Sequence, residues 1–224
     1  MAGMIERATQ GATTRDAMTG GGRVAGPVPD RASLRAAALA HLARFGTTRA
    51  GLAQVLERSV QRWARRAAEA GAPADDVAAR VGPLGRAIAQ VVDEMVALGA
   101  VDDAAFAGSR ARSLTRTGRS RRAVQAHLAA RGVEAELVGS VLDETLGARG
   151  QEGAEMELGA ALVFARRRRA GPFAPPGADD DGAVRRRKVL EAMARAGFGR
   201  ATAEAALDMD PAEAEDRIIR MKTT

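Results

Sequence analysis

From about residue 31 onward, apolar residues recur at helical spacing along this chain. Leu34, Ala38, Leu42 and Phe45 form one stripe, and Gly46 closes it. Thr48 is placed to cap a second helix, whose stripe is Leu52, Val55, Leu56, Val60 and Trp63. Residues 67–83, broken by Gly71, Pro73, Gly82 and Pro83, read as a loop or an interrupted helix. Leu84, Ile88, Val91, Val92, Met95 and Leu98 then predict a helix that turns all six inward. Further on, the pattern predicts helices over roughly 103–117, 120–131, 134–147, 151–170, 183–196 and 199–208. Pro211 opens a short last one.

The pattern repeats. When Arg121–Leu142 is aligned with Arg186–Leu207, Val124 falls on Val189, Leu128 on Met193, Gly132 on Gly197, Val133 on Phe198 and Leu142 on Leu207. In the same frame Thr48 falls on Ser120, Leu52 on Val124 and Leu56 on Leu128. Units of this kind bury their apolar faces against one another and build a one-dimensional protein. The expected fold is all-α: tandem three-helix repeats in an elongated, curved array with helices crossing near right angles. The expected divisions are a disordered tail at 1–30, repeat 1 at 31–101 with an insertion about 57–83, repeat 2 at 102–148, repeat 3 at 149–210 with a loop at 171–182, and a short helix or tail at 211–224.

Composition sharpens this picture. The chain is 46% hydrophobic but 3% aromatic, so Ala-lined helix contacts replace aromatic cores. Its formal charge is +6, carried almost wholly by Arg, since Lys188 and Lys222 are its lysines. A coding bias toward Arg and Ala would give the same excess, so charge bears on association and not on fold. Without Cys there is no disulfide, thiol chemistry or Cys-ligated zinc. No apolar run reaches the ~20 residues of a bilayer span, and the first 30 residues lack a signal-peptide core. A cytoplasmic monomer away from membranes is expected.

Candidate chemistry is sparse. Gly99 can close one helix and Asp102 can cap the next, with Asp103 complementing its dipole. Val101 and Phe106 then have the spacing of a hydrophobic staple. His41 and His127 stand apart from any metal or triad spacing, and no phosphate-cradling GxxxxGK[ST] loop exists. The expectation is a non-enzyme without cofactor or metal. Three basic clusters remain: Arg112, Arg116, Arg119, Arg121 and Arg122, with no acid among them; Arg166, Arg167, Arg168 and Arg169; and Arg185, Arg186, Arg187 and Lys188. They read as a solvated face or as a surface for phosphates or an acidic protein groove. Scarce aromatics argue against a base-stacking platform.

The block at 97–133, ALGAVDDAAFAGSRARSLTRTGRSRRAVQAHLAARGV, resembles the RecX family, bacterial regulators of the RecA recombinase. Gly99, Val101, Asp102, Asp103, Phe106 and Ala107 match the family's first segment. Gly118, Val124, Leu128, Arg131, Gly132 and Val133 match its second. Residues 38–56 resemble the opening unit, and Lys188, Gly197 and Phe198 fit a third more loosely. The resemblance implies tandem three-helix units that bind along the helical groove of the RecA–DNA filament, contact more than one protomer and modulate, usually inhibit, ATPase, co-protease and strand-exchange activities. Direct, sequence-tolerant binding of DNA through the Arg clusters is the alternative. The resemblance supplies no catalytic residues.

Overall fold

The computed structural model describes residues 26–175 and 182–223. Most of the expected tail and the middle of the expected 171–182 loop therefore lie outside the described residues. All regular structure among the described residues is helical.

The first unit holds α1 (Arg31–Leu42), α2 (Arg49–Glu69), α3 (Ala74–Val81) and α4 (Leu84–Ala97). Helix α1 starts with a reciprocal capping box. Asp30 accepts from Ser33 N at 2.7 Å, and Ser33 Oγ accepts from Asp30 N at 2.9 Å. Leu34, Leu52, Leu56, Ile88, Val91 and Met95 form its core. Two expectations fail here. Helix α2 continues to Glu69 and α3 follows at Ala74–Val81, so of the two readings of 67–83, loop or interrupted helix, the interrupted helix holds and only the loop fails. Pro73 stands at the α3 N-cap and Asp75 and Asp76 complement its dipole in the first turn, so the breakers punctuate a helix instead of abolishing it. Phe45 and Leu98 are exposed, at 53% and 61%. Helix α1 ends at Leu42 and α4 at Ala97, so both residues lie past the last turn and leave the stripe.

The second unit is α5 (Asp103–Arg116), α6 (Arg121–Ala130) and α7 (Ala135–Leu146). Ala107 and Ala111 are fully buried, and these small side chains let α7 lie close along α5. Val124, Leu128, Val138 and Leu142 fill the rest of this core. The third unit is α8 (Gln151–Arg167), a 3-10 turn at Gly171–Phe173, α9 (Gly182–Arg195), α10 (Arg200–Asp208) and α11 (Pro211–Thr223). Helix α11 packs on α8 and places Ala214, Ile218 and Met221 in the third core beside Leu162, Met193 and Leu207. Each unit thus closes its own core from consecutive residues, and the units meet in chain order.

Candidate functional site

The two joints between units share one polar device. At the first, Thr48 caps α2 by accepting from Gly51 N at 2.9 Å, and the same hydroxyl donates to Arg131 O at the end of α6 at 2.6 Å. At the second, Ser120 accepts from Ala123 N at 3.1 Å and donates to Ala196 O after α9 at 2.6 Å. Both hydroxyls are buried. Each joint adds an acid from the following unit. Asp103 accepts from Arg49 N at 2.7 Å, and Glu157 accepts from Arg121 N at 2.8 Å. Both amides are first-turn donors with no partner inside their own helix. Each joint also has a left-handed glycine in close approach. A Cβ on Gly132 (φ 76°) would overlap the Cβ of Ala50, and one on Gly197 (φ 90°) would lie 2.7 Å from Ser120 Oγ. Burial raises the Glu157 carboxyl above its ordinary range, and the Arg121 amide and guanidinium pull it back down.

The motif residues take the expected places, with one difference. Gly99 has φ 67° and Gly118 φ 84°. Asp102 caps α5 by accepting from Ala105 N at 2.9 Å. Ala107 and Val101 are buried, whereas Phe106 is only half-buried. Val101 belongs to the first core and Phe106 packs on the second, so the staple pair bridges two units.

The basic clusters separate by role. Arg121 is held in the joint, paired with Asp143 of α7 and donating to Gly147 O at 2.8 Å. The sequence run holds no acid, but the fold brings one from another helix. Arg166 pairs with Glu215 at 2.9 Å, and Arg187 with Glu191 at 3.0 Å. Arg186 engages both oxygens of Asp208 at 2.6 and 2.8 Å, and this hydrogen bonding raises its pKa further. Arg185 donates to Arg169 O at 2.8 Å, and Lys188 is exposed on α9. Arg112, Arg116, Arg119 and Arg122 are exposed and form no ion pair with any described residue. The fold brings Arg119 together with Arg167 and Arg168 around a cleft of about 340 Å³ at the second joint, beside Phe164 and Ala196. There Arg167 donates to Thr117 O at 3.0 Å, and the Arg168 guanidinium lies 4.7 Å from the centre of the Phe164 ring.

Sequence reasoning placed Asp103 in the motif as a dipole partner of α5 but not as an acceptor across the joint, and it missed Glu157. Asp103 is the first residue of α5, whereas Glu157 lies two turns into α8, so no alignment frame superposes them. No group of His, Cys, Asp or Glu among the described residues could hold a metal ion, and no described helix is long and apolar enough to cross a membrane.

Comparison with known proteins bears on this arrangement. Residues 102–142, the second unit almost to its end, match the family model described as RecX, second three-helix domain. The chain is 35% identical over 184 residues to the regulatory protein RecX of Myxococcus xanthus (strain DK1622), covering 80% of this chain and 86% of that protein. It is 34% identical over 117 residues to the regulatory protein RecX of Agrobacterium fabrum (strain C58 / ATCC 33970), covering 52% of this chain and 56% of that protein. No solved structure matches it significantly. With helical units in tandem and that extent of identity, the chain belongs to the RecX family of regulatory proteins.

Proposed function

We propose that this protein regulates the RecA recombinase by binding along the RecA–DNA filament, and that it inhibits the filament's ATPase, co-protease and strand-exchange activities. The observation that carries this reading is the joint built twice from the same parts. Units linked by a repeated joint present their faces at a repeated offset, which suits a partner that is itself a repeat of one subunit. Several weak contacts on one chain then act at high effective concentration. Bridging neighbouring protomers opposes the rearrangements that accompany nucleotide turnover. The chain acts here without chemistry of its own, as a brace.

The experiment is capture of RecA on the immobilised protein, with and without DNA and a non-hydrolysable nucleotide. Retention that increases when the filament is assembled is the expected result. Capture of DNA alone, with no affinity for RecA in any state, would overturn the reading in favour of direct DNA binding.

A further inference from the structure

The second unit and the edges of its two neighbours carry arginines that form no ion pair with a described residue. At the first joint a groove of about 530 Å³ is lined by Arg44, Phe45, Thr47, Ser109, Arg110 and Arg131. The acid on its wall, Asp102, is engaged as the α5 cap. Phe45 offers an exposed ring there, with the Arg44 guanidinium 5.5 Å from its centre and the His41 ring tilted against it at 5.3 Å. At the second joint lies the cleft of Arg119, Arg167 and Arg168, with Phe164 in its wall. His127 of α6 lines neither, but arginines of both reach it electrostatically. Arg110 and Arg131 from the groove and Arg119 from the cleft all act on its imidazole. Its Nε2 is buried without a hydrogen-bond partner. Burial and then these three arginines hold its pKa below the ordinary range. None of Arg44, Arg110, Arg119, Arg131 and Arg168 forms an ion pair with a described residue. Clustered like charges raise the energy of the free surface, and a bound polyanion relieves that cost.

We infer that this face is one continuous track for the sugar–phosphate backbone of a single nucleic-acid strand, running from the Arg119 cleft past His127 to the Phe45 groove. Planar guanidinia bind phosphate oxygens in pairs, and an exposed ring flanked by cations stacks on an unpaired base. The aromatic end favours a nucleic acid, which carries a flat base beside every phosphate, over a run of Asp and Glu side chains, which carries no ring. The filament reading supplies the strand. The test omits RecA, so the two proposals can fail separately.

The full chain is titrated with a fluorescent single-stranded oligonucleotide of mixed sequence at several salt concentrations, while the imidazole resonances of His41 and His127 are followed by NMR. Both resonances are expected to shift on binding. The R110E/R119E/R131E variant is expected to bind at least about a hundredfold more weakly, with the salt slope reduced by about 2, as three lost phosphate contacts require. Phe45→Ala is expected to cost about tenfold at a lower salt dependence than the arginine changes. The R58E/R62E/R65E variant, with the same change of charge on exposed positions of α2, should bind like the unmodified protein. Equal weakening by both triple variants would reduce the track to bulk charge and overturn it. Equal histidine shifts with polyglutamate would reassign the face to acidic polypeptides. Circular dichroism of each variant separates lost binding from lost fold.

Discussion

The first and second joints are built from the same polar parts and differ in what surrounds them. At the second, α8 lies across both α5 and α7, and Met156 packs against the second and third cores together. Arg121 is tied to Asp143 and Gly147, and Glu157 is half-buried beneath its amide. At the first, grooves of about 750 Å³ and about 530 Å³ open, against a cleft of about 340 Å³ at the second. Hydrogen bonds set the relative direction of two units in both places. Apolar burial, which is proportional to the area removed from water, decides how stiffly that direction is held. The second joint therefore welds units 2 and 3 into one body, and the first leaves unit 1 the more compliant arm. Under the proposed function, compliance at one joint would let separate units settle on protomers whose spacing varies.

Glycine substitutions break this contrast most strongly. Gly197→Ala and Gly132→Ala each force a side chain into a left-handed conformation, at about 1–3 kcal/mol. The new methyl meets the neighbouring unit at both joints, the Ala50 Cβ at the first and the Ser120 Oγ at the second. At the second the packing of α8 on α5 and α7 keeps the units from parting, so Gly197→Ala should lower the urea midpoint more. At the first joint the units can part, so Gly132→Ala should change the radius of gyration in small-angle scattering more than the midpoint. Equal effects on both observables would remove the distinction between the joints.

Cap removal comes next in size. Ser120→Ala and Thr48→Ala each lose a cap worth about 1 kcal/mol and leave a carbonyl of the neighbouring unit without its donor. Water can reach Arg131 O through the open first joint more easily than Ala196 O. Chemical denaturation should therefore show the larger loss for Ser120→Ala. The smallest effect concerns Glu157. Its carboxyl is raised in the folded state above the ordinary 4.5, so between those two values the folded protein holds a proton that the unfolded chain has released. Stability from this group is present below about pH 4.5 and declines as pH rises through the folded value, then stays level. Glu157→Gln should flatten that decline, as read from thermal midpoints across the acid range.

Much of this was legible in the chain. Thr48 and Ser120 share a frame, as do Gly132 and Gly197, and these four positions are the repeated geometry of the joints themselves. Core stripes such as Leu52–Leu56 and Val124–Leu128 follow from helical spacing alone. Three things were hidden for physical reasons. Helix α3 lies among breakers that also serve as helix ends. The joint acids come from helices of different register. The arginine clusters are contiguous in sequence but not in space. Arg121 and Arg122 are neighbours, yet one is locked in a joint and the other is exposed, while Arg44, Arg110 and Arg131 meet only in the fold.

RecA's DNA-dependent ATP hydrolysis, measured as this protein is added to preformed filaments, tests the central claim most directly. A brace that spans protomers should depress the rate at protein levels well below one per RecA subunit, while the purified protein alone hydrolyses no ATP. An unchanged rate at saturating protein, or steady ATP turnover by the protein without RecA, would contradict the account.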